Sequence, residues 1–197
     1  MSFTLYRDEM MTITAANLYQ LNFNGVGKTE FRLYFGSPHS HETLRPVSDQ
    51  QIMLILNSRL KKWQPNSGYG FGNIVEPTKA NGYMYKVIGN GRTDLNEPEW
   101  GTEPDSQCSS GSVTFINLGA KFQPNDINMA LSRSGLDKVT AGSALQLGEQ
   151  LKGGKSIPVY FRITNSSSNK RSDRSDPSVS LSLNATITET IAHTGTL

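Results

Sequence analysis

The stretch Val179-Ser180-Leu181-Ser182-Leu183-Asn184-Ala185-Thr186-Ile187 decides the fold. Its apolar side chains occupy the odd positions and its polar ones the even positions. That is the period of a β-strand with one dry face and one face that is wet or covered by a partner. Upstream, residues 157–164 (IPVYFRIT) read as a second strand. Between the two, residues 165–177 (NSSSNKRSDRSDP) carry no apolar side chain. They read as a solvated hairpin loop or as a segment that becomes ordered against a neighbour.

The same alternation recurs toward the N-terminus. Tyr19, Leu21 and Phe23 alternate with polar residues, Asn24-Gly25 and Val26-Gly27 supply a turn, and Phe31, Leu33 and Phe35 resume the pattern with Arg32 and Tyr34 on the other face. Residues 19–35 therefore predict a hairpin with one apolar face. Ile52-Met53-Leu54-Ile55-Leu56 fits a buried strand or a short helix, and its brevity and the following Asn57-Ser58 favour the strand. Residues 63–77 are loop-like, with Gly68, Gly70, Gly72 and two prolines. Strands are expected at 83–88 (YMYKVI) and 112–118 (SVTFINL), separated by a long Gly-, Pro- and acid-rich segment. Loops of that length tend to be functional or specially packed. Residues 126–136 are the best helix candidate, with a strand ending at Ser134-Gly135 as the alternative. Leu145 and Leu147 lead into Gly148, and Gly153-Gly154 marks a turn.

Composition agrees with short strands. Of 197 residues, only 36% are hydrophobic and 18% charged, while Ser (22), Thr (16), Asn (15), Gly (18) and Pro (9) are abundant. These residues compete with helical hydrogen bonding or set turn dihedrals, which argues against a helical bundle. A net charge of +2 makes no electrostatic case for nucleic acid. Cys108 is the single cysteine, so neither an intrachain disulfide nor a cysteine-based zinc cluster can form. No window approaches the roughly 18 apolar residues of a spanning helix. Arg7, Asp8 and Glu9 stand where a secretory signal needs an apolar stretch. The expectation is a chain made in the cytosol and not exported by such a signal.

The search for chemistry is short. His39-Ser40-His41-Glu42 is the one cluster of metal-ligating types, but Pro38 and the lack of further partners favour two exposed loop histidines; His193 sits near the end. No Gly-x-Ser-x-Gly elbow occurs. Cys108 has no basic neighbour to activate it. Glu97, Glu99, Glu103 and Asp105 could offer paired carboxylates, though sequence proximity cannot set their separation. Gly68-Tyr69-Gly70-Phe71-Gly72 lacks the Lys and Ser/Thr of a phosphate loop. Lys61-Lys62-Trp63 is too small a basic patch for nucleic acid. Asn165-Ser166-Ser167 and Asn184-Ala185-Thr186 match a glycosylation pattern that needs a secretory route to matter. No catalytic, cofactor-binding or metal-binding residue is assigned, and no cofactor is expected.

Tyr85, Pro98, Trp100, Gly111, Val113 and Phe115 stand in the order Gly-x-x-Tyr-x-Val, Gly-rich turn, Pro-x-Trp, Gly-x-Val-x-Phe over residues 82–115. This arrangement resembles a short module that recurs in virion proteins of tailed bacteriophages, with Phe115 where tryptophan is commoner. Residues 144–162, from Leu145-Gln146-Leu147-Gly148 to Val159-Tyr160-Phe161-Arg162, are similar to a β-sandwich element of phage structural proteins. The resemblance implies a virion component, and the place expected for it is the tail, neck, baseplate or capsid decoration. A matching physical reading has the long loop fold back so that Trp100, stiffened by Pro98, covers the hairpin of 83–88 and 112–118.

The expected fold is all-β, an immunoglobulin-like sandwich with long polar loops, in which residues 1–68 and 122–197 form the sandwich and 69–121 an inserted β-hairpin module. The expected role is that of a non-enzymatic structural subunit in contact with other virion proteins and copies of itself, a homo-oligomer touching neither nucleic acid nor membrane. Residues 2–11 and 192–197 are candidate arms reaching neighbouring subunits. The chief rival is a glycan-binding or host-adhesion module using Trp63, Tyr69, Phe71 and Trp100. A further rival is a metal-dependent hydrolase on His39, His41 and Glu42.

Overall fold

A computed structural model of the protein describes residues 3–15, 26–48, 50–167 and 178–189. In chain order its strands are β1 (Thr4–Tyr6), β2 (Gly27–Ser37), β3 (Glu42–Pro46), β4 (Ile52–Ser58), β5 (Lys61–Lys62), β6 (Gly68–Tyr69), β7 (Ile74–Glu76), β8 (Tyr83–Gly89), β9 (Gly91–Arg92), β10 (Gln107–Ser110), β11 (Val113–Ala120), β12 (Ile127–Ala130), β13 (Leu145–Gly148), β14 (Leu151–Lys152), β15 (Lys155–Asn165), β16 (Val179–Leu183) and β17 (Ala185–Glu189). The fold is all-β and sandwich-like. Among the described residues the helical content is two short 3-10 turns, Pro124–Asp126 and Arg133–Asp137, and no helix is long and apolar enough to cross a membrane.

One layer has the order β1-β2-β15-β12, with β2 and β15 antiparallel over their full eleven-residue lengths. The facing layer has three long antiparallel tracks, each interrupted at one level. β13 and β16 flank β4, and β14 and β17 flank β3. The middle track leaves the sheet between Pro46 and Ile52, and Asn184 fills the gap. Its Oδ1 accepts from the Met53 N–H (2.6 Å), its Nδ2 donates to the Gln51 carbonyl (3.1 Å), and its own carbonyl accepts from Val47 (3.0 Å). Phe3, Leu33, Phe35, Ile127, Met129, Val159 and Phe161 from the first layer meet Leu44, Ile52, Leu54, Leu56, Leu145 and Leu147 from the second, forming the main core.

Several expectations change here. Residues 126–136 do not form a helix. Pro124 opens a 3-10 turn, and Ile127 and Met129 then point into the core at period two while β12 pairs with β15. The 179–187 strand is two strands hinged at Asn184, and Leu181 does not share the dry face, being 36% exposed. Residues 63–77 include the short strands β6 and β7, and Trp63 is buried. Residues 3–11 are no free arm. β1 pairs with β2, and Phe3, Tyr6 and Met11 are buried. Asp8 shapes the return, since its carboxylate accepts from the Thr12 and Ile13 N–H groups and the Thr12 hydroxyl. The half of the 19–35 hairpin before Gly25, most of the 165–177 loop and the 192–197 arm lie outside the described residues.

The second sheet has the order β10-β11-β8-β7-β5, with β5 parallel to β7 and the other pairs antiparallel. Its core is Trp63, Val75, Tyr85, Val87, Val113 and Phe115. The chain enters it past Arg59 and leaves past Phe122, and both points bind Ser178 at the start of β16. The Ser178 carbonyl accepts from Arg59 N–H (2.8 Å), and its hydroxyl donates to the Phe122 carbonyl (2.9 Å). Next to that junction, buried Lys121 forms an ion pair with buried Glu76 of β7. Burying two charges is tolerable only where they meet each other, so this pair sets how the end of β11 sits against β7.

Candidate functional site

Four of the six positions of the Tyr-Pro-Trp-Gly-Val-Phe module, Tyr85, Trp100, Val113 and Phe115, share one packed cluster. β8 and β11 are antiparallel neighbours, and Trp100 lies over them, its ring centroid 4.4 Å from Tyr85 and 5.1 Å from Phe115. Tyr69 meets Phe115 edge-on at 5.8 Å. Two polar anchors hold the strap beside Trp100. The Gly101 carbonyl accepts from the Tyr85 hydroxyl (3.0 Å) and from Asn117 Nδ2 (2.7 Å), and Asn81 donates to the Tyr85 oxygen (2.8 Å). Glu97 Oε1 accepts from the Trp100 indole N–H (2.9 Å) and from the Thr78 N–H (2.7 Å), tying the strap to the far side of the sheet. Burial raises the Tyr85 hydroxyl pKa, opposed by the Asn81 hydrogen bond. Gly111 turns the chain between β10 and β11 at φ 58°, where an added Cβ would collide with the Arg92 carbonyl. The module is thus a folding device: a strap pinned across a hairpin by one indole.

Compared with protein-family models, with curated proteins and with solved structures, the chain gives no significant match to any of them.

The other sequence candidates do not come together. His39 and His41 are exposed on the turn before β3, their rings 5.7 Å apart. Glu42 turns inward and accepts from the Ser37 hydroxyl at 2.5 Å, so it does not complete a His-His-Glu set. That turn rests on Gly153, where any Cβ would strike the His39 carbonyl. The Gly153-Gly154 pair therefore serves close approach of two backbones. Among the described residues no group of three or more His, Cys, Asp or Glu could hold a metal ion. Glu97 is engaged with Trp100 and Thr78, which removes it from any carboxylate pair with Glu99, Glu103 or Asp105. Burial pushes the Cys108 thiol up to about 11. In the Gly68–Gly72 segment, Phe71 is 66% exposed, and its N–H is taken by Asn90 Oδ1 while Lys86 lies over its ring at 5.4 Å.

Sequence reasoning missed the polar residues that organise these parts: Asn117, Glu76, Lys121, Ser178 and Asn184. Asn117 carried a readable signal. It continues the period-two series of Val113 and Phe115, and a polar residue at such a buried position must find partners. On the outer face of the first layer, Arg162 bridges Glu30 (2.7 Å) and Asp137 (2.7 Å), and Arg133 also binds Glu30 (2.9 Å). The Arg162 hydrogen bond, then that of Arg133, holds the Glu30 carboxyl below its usual range. These four charges satisfy one another across an open cleft, which makes them a clasp between β2, β15 and the Arg133–Asp137 turn.

Proposed function

We propose that the protein is a non-enzymatic structural subunit of a tailed-phage particle, in the tail, neck, baseplate or as a capsid decoration, acting through contacts with copies of itself and with other particle proteins. One observation carries the reading. Of the residues by which residues 82–115 resemble the phage virion module, Tyr85, Val113 and Phe115 pack in one cluster with Trp100, and Gly111 makes the tight turn into the strand that carries Val113 and Phe115. A resemblance spread over positions that serve a common packing role carries more weight than scattered identities.

The glycan-binding alternative needs ring faces open to solvent. Of its four aromatics, Trp63 is buried, Tyr69 and Trp100 pack on Phe115, and Phe71 alone is exposed. A single ring with a lysine over it makes a poor sugar platform. The experiment is to purify particles produced from the genome that encodes the chain, quantify the chain by mass spectrometry, and locate it with a labelled antibody. A fixed copy number at one place in the particle is expected. Particles that lack the chain and infect normally would refute the proposal.

A further inference from the structure

Resting on that copy-to-copy reading, we propose that the second sheet joins to a second copy of this chain edge to edge, with β5 of one copy against β10 of the next. β5 and β10 are the two opposite edges of the sheet, and neither has a strand on its outer side among the described residues. Their charges are opposite. Lys61 and Lys62 make up β5, with Arg59 just before it and Lys79 beyond β7, and all four are exposed. From residue 93 to residue 120 the chain has no Lys or Arg but carries Asp94, Glu97, Glu99, Glu103 and Asp105. Two of these acids stand at the two ends of β10. The Glu103 carbonyl accepts from the Ser106 N–H and hydroxyl in the turn that leads into the strand, and the Asp94 N–H donates to Ser110 Oγ at its last residue. Both acids are exposed, as is Leu95 beside Asp94.

The strand directions match these charges. β10 is antiparallel to β11, β11 to β8 and β8 to β7, while β5 is parallel to β7. Continuing the sheet into the next copy therefore sets β5 antiparallel to the incoming β10. Glu103, at the start of β10, then meets Lys62 and Lys79 at the upper end of β5. Asp94, at the end of β10, meets Arg59 and Lys61 at the lower end. Edge backbone groups pair with each other, and unlike charges flank both ends. The contact uses different surfaces on the two copies, so it is heterologous, and repetition closes a ring or extends a filament.

Edge lysines have a familiar opposite use, which is to prevent strand addition, and the experiment separates the two roles. Light scattering and sedimentation of the full chain are measured against protein concentration at low and high salt, for the wild type, K61E/K62E, D94K/E103K, an equimolar mixture of those two variants, and K61T/K62T. The contact predicts a concentration-dependent oligomer that weakens with salt. Each charge reversal should weaken association by roughly tenfold or more. The mixture should restore it, because every contact between one variant and the other again joins unlike edges. Restoration also shows that both variants are folded. Stronger association of K61T/K62T, or an oligomer indifferent to both reversals with no recovery on mixing, overturns the edge contact and leaves self-association through another surface. A wild type that stays monomeric at every concentration and salt also overturns the contact, while the particle analysis still decides the structural role on its own.

Discussion

Trp100 shows how one side chain can organise a long loop. Its ring is held by Tyr85 and Phe115 below and by Glu97 at the indole N–H, so the strap from Glu97 to Gly101 has one fixed path. Replacing it with alanine removes two aromatic contacts and a partly buried ring, and should cost about 3 kcal/mol in urea unfolding. Cys108 is a second residue with a definite expectation. Its thiol titrates near 11 in the fold against 9.0 unperturbed, because burial disfavours the thiolate. Alkylation at mildly alkaline pH should therefore be much slower in the folded protein than in urea, and equal rates would contradict the burial. The folded thiol holds its proton more tightly than the unfolded one, so this contribution to stability is present below pH 9 and lost as pH rises toward 11.

At the scale of elements, polar side chains decide where strands bend and how sheets join. Asn184 supplies three hydrogen bonds at the level where three tracks break. Asn184→Ala leaves the Met53 N–H and Gln51 carbonyl without that partner and should cost roughly 2–3 kcal/mol in chemical denaturation. The Lys121–Glu76 pair makes the sharper test. Glu76→Gln strands a buried ammonium and should cost about 3–5 kcal/mol, whereas a double replacement by Met at both positions should fall much nearer the wild type. Residues 126–136 offered a helix or a strand, and the strand prevails over 127–130 because β15 offers four consecutive backbone partners and the core a place for Ile127 and Met129. Tertiary pairing outweighs a weak propensity.

For the whole molecule, the N-terminal segment is part of the packed fold. Because Phe3, Tyr6 and Met11 are buried and β1 extends the β2 sheet, deleting residues 1–11 should lower stability by on the order of 5 kcal/mol, read as a fall in melting temperature. Unchanged melting would restore the free-arm reading. The return at Asp8 adds a pH dependence. Hydrogen bonds from Thr12, then from Ile13, hold its carboxyl below 3.8, so its support is present above that pH and is lost as pH falls through the lower folded value.

Period-two alternation and a composition poor in helix formers were enough to specify an all-β chain, because strand faces are written directly into neighbouring residues. The strands at 83–88, 112–118 and 157–164 could be read locally, the one at 52–56 was favoured over a short helix by its brevity, and the place of Trp100 followed from the module's order. What the tertiary structure alone decided was partnership. Ser178 clamping the chain where it enters and leaves the second sheet, Asn184 closing a gap opened in another strand, Glu76 meeting Lys121, and β1 docking on β2 all join residues far apart in sequence. Such pairings depend on which buried polar groups are left without water once the layers close, and no local pattern encodes that.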